Sequence, residues 1–158
     1  MMPTYLLDAS ALCKRYFVNE IGAELVNDLF QQVASPRFIL NLAIVEVLNA
    51  LYRVQREGHL TETERDAFIA TFYNDIASGH ILVHSVRDDH IFRSEPILQA
   101  LQTMNVTKKR PGPIDAVLVA CALDFDLADL MLVSSDIDLN ALAQQFGITT
   151  FDPENPSS

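Results

Sequence analysis

Residues 3–12 read Pro3-Thr4-Tyr5-Leu6-Leu7-Asp8-Ala9-Ser10-Ala11-Leu12, and this stretch decides how the rest of the chain is organised. The apolar run from Tyr5 to Leu7 predicts a short buried strand. A carboxylate, Asp8, and a hydroxyl, Ser10, follow directly, and the sequence then takes on helical spacing. Because open α/β sheets bind ligands beyond the carboxyl ends of their strands, Asp8 is the first candidate for a functional site.

The totals indicate one globular domain with an acidic surface. The chain has 158 residues, 49% of them hydrophobic, and a net charge of −10. That charge disfavours nucleic-acid binding through a broad basic surface, so any such chemistry needs metal cations or a small basic patch. The sequence shows neither a secretory signal nor an uninterrupted membrane-length apolar segment, and we therefore expect a soluble cytoplasmic protein.

Predicted strands and helices alternate along the whole chain. Further strands are expected at 81–86, 130–133 and 148–151, and residues 38–40 are either a brief strand or the lead-in to a helix. Longer helices are expected at 42–57, 61–77, 89–104, 114–123 and 138–147. Alternation of this kind indicates an α/β fold, a three-layer α/β/α sandwich around a central parallel sheet. We expect a single domain over residues 1–152, with residues 153–158 as a flexible tail.

Four acids interrupt otherwise apolar stretches: Asp8, Glu46, Asp115 and Asp136. Taken singly, each has a structural explanation, such as a helix N-cap for Asp115, an Asx-turn for Asp136 or a solvent-facing position for Glu46. Glu46 is the hardest to explain in that way, because its neighbours are apolar and no basic residue follows until Arg53. A carboxylate beside a core is costly unless a cation satisfies it.

Together, the four acids predict a metal site. A parallel sheet can bring all of them to its carboxyl edge, and carboxylates that lie so close cannot all ionise without a cation. Oxygen ligands suit Mg²⁺ or Mn²⁺, and paired ions are a common means of phosphodiester cleavage. The four histidines are scattered over loops and a strand and are expected to have ordinary surface roles, so zinc is not favoured.

Four motifs in order resemble the PIN-domain (PilT N-terminal) nucleases, and most closely the VapC-type toxins of toxin–antitoxin pairs. They are Asp8-Ala9-Ser10-Ala11-Leu12, Val45-Glu46-Val47-Leu48-Asn49, Ile114-Asp115-Ala116 and Val133-Ser134-Ser135-Asp136-Ile137-Asp138-Leu139. The resemblance implies a PIN-like α/β/α fold and a metal-dependent endoribonuclease. It also implies that Asp8, Glu46, Asp115 and Asp136 are both the catalytic residues and the ligands of Mg²⁺ or Mn²⁺.

The resemblance carries further expectations. Ser10, Ser135 and Asp138 would be accessory residues that steady an acid, a ligand or a bound water. The substrate would be RNA, a small antitoxin would block the site, and a homodimer is expected. This sequence departs from the family pattern at two positions: Asn41 stands where a Ser or Thr is common before the helix acid, and Leu118 stands where a polar residue is common three positions after Asp115.

A few basic residues lie close to the acids in sequence. Lys14 follows the first acid, and Lys108, Lys109 and Arg110 lead into Asp115. We expect these side chains to hold RNA phosphates at the rim of the cleft. The alternative is a solvated basic loop without a binding role.

Other functional classes fit less well. A haloacid-dehalogenase-like phosphatase needs a second Asp where this chain has Ser10, and a receiver domain needs an adjacent acidic pair where Asp8 stands alone. A catalytically silent module that binds RNA or antitoxin, and a housekeeping RNA-processing nuclease, stay open as alternatives.

Overall fold

The molecule is built on one five-stranded parallel sheet. The structure is a computed structural model and describes residues 2–156. The strands are β1 (Thr4–Leu7), β2 (Arg37–Leu40), β3 (Leu82–His84), β4 (Leu130–Val133) and β5 (Thr149–Phe151). Their order across the sheet is β3-β2-β1-β4-β5, and every neighbouring pair is parallel. The predicted α/β class is confirmed.

Helices connect the strands along the described chain. They are α1 (Ala9–Cys13), α2 (Ala23–Gln31), α3 (Asn41–Arg56), α4 (Glu62–Ala77), α5 (Asp88–Arg93), α6 (Glu95–Thr103), α7 (Pro113–Asp124) and α8 (Ile137–Gln145). Within residues 2–156, no helix is both long enough and apolar enough to cross a lipid bilayer.

Side chains of the central strand β1 alternate between two buried layers, as the pleat of a strand requires. Leu6 packs into a core with residues of α6, α7 and α8. Tyr5 and Leu7 pack into a second core with residues of α1, α2, α3 and α4. The sheet is therefore covered on both faces, which confirms the predicted three-layer sandwich.

The chain changes direction across the sheet beside β1. The connection after β1 leads to β2 on one side, whereas β4 pairs with β1 on the other side. The register places Leu7 opposite Val133, so Asp8 and Ser134, the next residues, emerge side by side. A crevice at such a switch point is where open α/β sheets bind ligands.

One predicted helix is divided in the structure. The segment predicted as a helix over 89–104 forms α5 and α6, which meet at Ser94. Pro96 stands near the start of α6 and has no N–H to donate to the preceding turn, so a continuous helix would lack a hydrogen bond there.

The first residues of the predicted tail make defined contacts. Glu154 forms an ion pair with Lys14 at 2.7 Å. Pro153 is buried against Gly22, which has a φ of +81°, and a Cβ built on that glycine would lie 2.5 Å from the Pro153 carbonyl oxygen. Ser157 and Ser158 lie outside the described residues, and flexibility of the remaining tail stays a prediction.

Candidate active site

The four acids predicted from the sequence line one cavity. It has a volume of about 260 Å³ and lies beyond the carboxyl ends of β1, β2 and β4. Four stretches of the chain form its wall, and the lining residues are Leu7, Asp8, Ala9, Ser10, Leu40, Leu42, Ala43, Glu46, Lys109, Gly112, Pro113, Ile114, Asp115, Leu118 and Asp136. Side chains far apart in the chain thus share one acidic cavity.

Asp8 is held by hydrogen bonds from two elements. Its carboxylate caps α1 by accepting the Ala11 N–H at 2.7 Å, and it accepts the Ser10 hydroxyl at 2.8 Å. From the end of β4, the Ser134 hydroxyl donates to Asp8 Oδ2 at 2.6 Å. Burial nevertheless raises the pKa of Asp8 to about 6, although the three donors act to lower it, and the Asp115 charge adds to the increase.

Asp115 lies in the first turn of α7. Pro113 begins this helix, where its missing N–H costs nothing. Asp115 Oδ2 accepts the Gly112 N–H at 2.6 Å, which closes the turn before the helix. Burial raises the pKa of Asp115 and the nearby Asp136 charge adds to this effect, whereas the Gly112 hydrogen bond and the Lys109 charge oppose it.

Glu46 and Asp136 complete the cavity wall from α3 and α8. Glu46 lies at the exposed rim, and its pKa is raised by partial burial and by the charges of Asp115 and Asp8. Asp136 caps α8, because its Oδ1 accepts the N–H groups of Asp138 and Leu139 at 2.9 and 3.1 Å. Its second oxygen makes no hydrogen bond within the described part of the chain and is free to act as a ligand.

The donor set of this cavity suits a hard divalent cation. Its ionisable ligands are carboxylates, and three of them have pKa values raised by burial, so a bound cation would relieve both desolvation and mutual repulsion. Among the described residues, no three of these acids bring ligand oxygens within 4.8 Å of one another. The carboxylates therefore surround the cavity and do not converge on a single point.

A second cluster, outside the cavity, is formed by His84, His90 and Asp124, whose potential ligand atoms lie within 4.8 Å of one another. The predicted surface role is wrong for His90, whose side chain is completely buried. His90 Nδ1 accepts the Arg87 N–H at 3.0 Å, so its Nε2 carries the proton that it donates to Asp124 at 3.0 Å.

Arginine side chains already neutralise the carboxylate of that second cluster. The His90 hydrogen bond, with those of Arg87 and Arg93 at 2.8 and 2.7 Å, holds the pKa of Asp124 well below its usual range. This cluster does not suit a metal ion, because His90 Nε2 carries a proton and the Asp124 carboxylate is already paired. The cluster joins α5 to α7.

Ser134, whose hydroxyl lies beside Asp8, was not predicted from the sequence as a site residue. It is fully buried and bridges two acids, because it donates to Asp8 and accepts the Asp136 N–H at 3.0 Å. Ser10 contacts Asp8 as expected, whereas the Ser135 hydroxyl is buried without a partner among the described residues. Pairing of the first and fourth predicted strands would have revealed Ser134, since it places residues 8 and 134 side by side.

Asp138 and Asn41 hold the backbone around the cavity through hydrogen bonds. Asp138 is 1% exposed, and its carboxylate accepts three backbone N–H groups from residues 107–109. Burial opposes ionisation, but these three hydrogen bonds lower its pKa. Asn41 Oδ1 accepts the Val86 N–H at 3.1 Å and so ties the start of α3 to the segment after β3.

The predicted basic residues differ in their access to the cavity. Lys109 lines it, and Lys108 lines an adjoining cavity together with Ser10, Ser135 and Asp136. The Arg110 guanidinium donates to the Leu101 carbonyl instead.

Two further cations, Lys14 and Arg53, line a groove beside the cavity. Lys14 is ion-paired with Glu154 and Glu20, and its side chain is only 4% exposed. Arg53, which sequence reasoning did not assign to the site, lines a groove with Glu46 and Lys109. The sequence spacing could have indicated this, because Arg53 follows Glu46 by seven residues, about two helical turns, and therefore lies on the same face of α3.

The fold defines the chain as an α/β protein with the architecture of toxin–antitoxin PIN-domain structures. Three solved structures illustrate the likeness. FitAcB from Neisseria gonorrhoeae superposes with a TM-score of 0.65 at 13% identity and covers 95% of this chain and 98% of its own. VapC20 from Mycobacterium tuberculosis, a toxin that cleaves the sarcin-ricin loop, has a TM-score of 0.60 at 17% identity and covers 87% and 94%.

The third structure is VapBC from Salmonella typhimurium bound to DNA, with a TM-score of 0.63 at 15% identity and coverage of 96% and 99%. No protein-family model and no curated protein matches the sequence. The resemblance to VapC-type PIN toxins that the motifs predicted is thus confirmed in the fold.

Proposed function

We propose that this protein is a divalent-metal-dependent endoribonuclease and the toxin of a toxin–antitoxin pair. The observation that carries the proposal is the shared cavity of Asp8, Glu46, Asp115 and Asp136 at the carboxyl edge of the sheet. The likeness to VapC20, which cleaves an RNA loop, supports the same reaction class. A desolvated group of carboxylates that needs a cation is the arrangement that phosphodiester hydrolysis uses.

Each residue of the cavity has a role in this proposal. The four carboxylates would hold Mg²⁺ or Mn²⁺, and Ser10 and Ser134 keep Asp8 in one orientation through hydrogen bonds of 2.8 and 2.6 Å. A bound divalent cation would supply Lewis acidity, which favours ionisation of the attacking water and offsets charge on the phosphate. Lys109, on the cavity wall, would attract a phosphate of the RNA.

The charge of the molecule makes metal dependence a direct expectation. An RNA backbone that approaches a protein of net charge −10 at a cavity of four acids meets repulsion. The cation that neutralises those acids is therefore needed for substrate binding as well as for chemistry. We expect removal of divalent ions to abolish cleavage.

The proposal includes the partners that accompany this function. We infer a small antitoxin as the protein partner, since the structural neighbours include FitAB and VapBC assemblies. We also expect a homodimer and residence in the cytoplasm, where RNA is available. Light scattering coupled to size exclusion would give the mass of the protein in solution, and a mass of one chain, 17.6 kDa, would contradict the dimer.

Cleavage of an end-labelled RNA tests the proposed activity. We expect cleavage with Mn²⁺ or Mg²⁺, none with EDTA, and a loss of at least about 100-fold in Asp8→Asn, equivalent to ~2.7 kcal/mol of transition-state stabilisation. Asp28→Asn is the matched control, because it makes the same change of charge at an exposed position of α2. Cleavage in EDTA, or an active Asp8→Asn variant, would contradict the proposal. RNA binding without cleavage by the wild type would instead indicate a silent binding module.

A further inference from the structure

The carboxylate of Asp138 belongs to the framework behind the cavity. Asp138 follows Asp136 by two residues in the first turn of α8, yet it is buried and does not line the acidic cavity. A buried carboxylate needs compensating hydrogen-bond donors. In this protein the donors come from a loop that lies 29 to 31 residues earlier in the chain.

Three successive backbone amides of that loop converge on Asp138. Oδ1 accepts the Thr107 N–H at 2.6 Å, and Oδ2 accepts the Lys108 and Lys109 N–H groups at 2.7 and 2.8 Å. Residues 104–112 connect α6 to α7 without regular secondary structure, so these amides receive no helix or sheet partners. A fully ionised carboxylate can accept all three hydrogen bonds, whereas an amide side chain presents one acceptor and one donor.

The same loop carries a basic residue, Lys109, at the acidic cavity. Lys109 lines that cavity and also the adjoining cavity that contains Ser10 and Ser135, and its charge lies close enough to Asp115 to oppose the rise in the pKa of that carboxyl. At the far end of the loop, the Gly112 N–H is held by Asp115 Oδ2 at 2.6 Å. The backbone that carries Lys109 is therefore fixed on both sides, by a framework carboxylate and by a carboxylate of the site.

We propose that Asp138 is a positioning residue, whose carboxylate fixes the backbone of residues 107–109 so that the Lys109 ammonium faces the acidic cavity and receives an RNA phosphate beside the scissile one. This inference rests on the proposed ribonuclease function. Lys109 would act as a point charge on a non-reacting phosphate, so its placement affects substrate binding more than the chemical step.

A double-mutant cycle on RNA cleavage tests the inference. We expect Asp138→Asn to raise KM by about 10-fold with kcat within about twofold, and Lys109→Ala to do the same. The double variant should be no worse than Lys109→Ala alone, because Asp138 acts through Lys109. The control is Asp75→Asn, which removes another buried, hydrogen-bonded carboxylate that lies outside the cavity. It should lower the unfolding midpoint and leave KM unchanged.

Several outcomes would overturn the inference. They are an unchanged KM in Asp138→Asn, a loss confined to kcat, and single effects that multiply in the double variant to about 100-fold. If Asp138→Asn does not fold, amide hydrogen exchange in the wild type decides: the Lys108 and Lys109 amides should be protected despite their exposed loop, and rapid exchange would overturn the inference. Absence of RNA cleavage by the wild type removes the proposed function and this inference together, whereas normal cleavage with any of the other outcomes removes the inference alone.

Discussion

At the scale of single residues, the site depends on which hydroxyl group reaches which carboxylate. Ser134 and Ser135 are adjacent in sequence, but Ser134 bridges Asp8 and the Asp136 backbone, whereas the Ser135 hydroxyl is buried without a partner in the described part of the chain. The two serines are therefore a natural pair for comparison, because the same substitution removes a bridging hydrogen bond at one position and an unsatisfied group at the other.

Ser134→Ala should destabilise the protein and lower its activity. The substitution removes a hydrogen bond to a charged group, worth about 1.5–3 kcal/mol, and loosens Asp8. Ser135→Ala, the matched control, should change the free energy of unfolding by less than about 0.5 kcal/mol, because no hydrogen bond is lost. Denaturant unfolding and cleavage rates measure both effects. Equal losses in the two variants would contradict the assigned role of Ser134.

The raised pKa of Asp8 predicts a pH-dependent difference between wild type and Asp8→Asn in the absence of divalent ions. The pKa of this carboxyl is about 6 in the folded protein and 3.8 for the unperturbed group. Protonation is therefore favoured by folding, and the stabilisation it gives is complete below pH 3.8 and is lost as the pH rises through 6. We expect Asp8→Asn to become the more stable protein above pH 7, by about 2–3 kcal/mol.

Asparagine keeps the N-cap of α1 through its amide oxygen but cannot accept the Ser134 hydrogen bond with its amide nitrogen, so the pH dependence of the difference, rather than its value at one pH, reports the charge. Thermal unfolding of both proteins at pH 4 and pH 8 measures the difference, which should be small at pH 4 because most of the change falls between pH 4 and pH 6. Added Mn²⁺ should raise the midpoint of the wild type at pH 8 by ligand linkage and raise that of the variant less. A stability difference that stays the same between pH 4 and pH 8 without metal would show that the pKa of Asp8 is not raised in the folded protein.

At the scale of secondary-structure elements, the segment after β5 packs over the start of α2 and engages Lys14, which lines the groove that contains Arg53 and Lys109. Pro153 packs on Gly22, and Glu154 holds the Lys14 ammonium at 2.7 Å. Asp152 Oδ1 accepts the Glu154 N–H at 2.8 Å, which fixes the turn that brings Glu154 to Lys14. Lys14 is therefore unavailable to an RNA phosphate while this segment is docked.

Gly22→Ala should undock that segment. The residue has a φ of +81°, and a Cβ would lie 2.5 Å from the Pro153 carbonyl oxygen. Gly58→Ala is the control, because Gly58 also has a φ of +81° but no atom within 4 Å of a built Cβ, so it reports the backbone strain alone. We expect Gly58→Ala to cost about 1 kcal/mol and Gly22→Ala at least about 1 kcal/mol more.

Proteolysis of the C-terminal segment and RNA affinity provide independent measurements of undocking. Gly22→Ala should be cleaved faster near residue 154 and should bind RNA more tightly, because Lys14 loses the 2.7 Å ion pair with Glu154 and keeps only the longer 3.4 Å contact with Glu20. Equal unfolding free energies for the two glycine variants would mean that the contact with Pro153 adds nothing to stability.

At the scale of the whole molecule, an acidic protein offers RNA very few cations. Of the 11 lysine and arginine residues, Lys108, Lys109 and Arg53 line the cavities around the site without a protein ion pair among the described residues. Lys14 lines the same groove as Arg53 but is paired with Glu154 and Glu20, and Arg110 donates to the Leu101 carbonyl. RNA binding should therefore depend only weakly on monovalent salt and strongly on the divalent cation.

The salt dependence of RNA binding measures how many phosphates the protein neutralises. With two or three cations, we expect log K to fall with log[salt] with a slope of about −1.4 to −2 for single-stranded RNA, and Lys109→Ala to reduce that slope by about 0.7. Binding is measured in the Asp8→Asn background at constant Mg²⁺, to prevent cleavage. Arg56→Ala removes an equal charge from an exposed position of α3 outside the cavity and should leave the slope unchanged. An unaltered slope in Lys109→Ala would contradict the phosphate contact.

The sequence by itself determined the α/β class, the positions of the strands and the four acids of the cavity. These features are local, because strand and helix periodicity is visible within about ten residues and a carboxylate inside an apolar run needs an explanation wherever it occurs. Only the tertiary structure decided which polar groups reach those acids. Ser134 contacts Asp8 across 126 residues, Glu154 neutralises Lys14 across 140 residues, and Asp138 turns away from the cavity to hold a loop. Such pairings depend on strand register and loop packing, which bring together residues that are distant along the chain. A local sequence pattern contains no information about which of these residues form hydrogen bonds with one another.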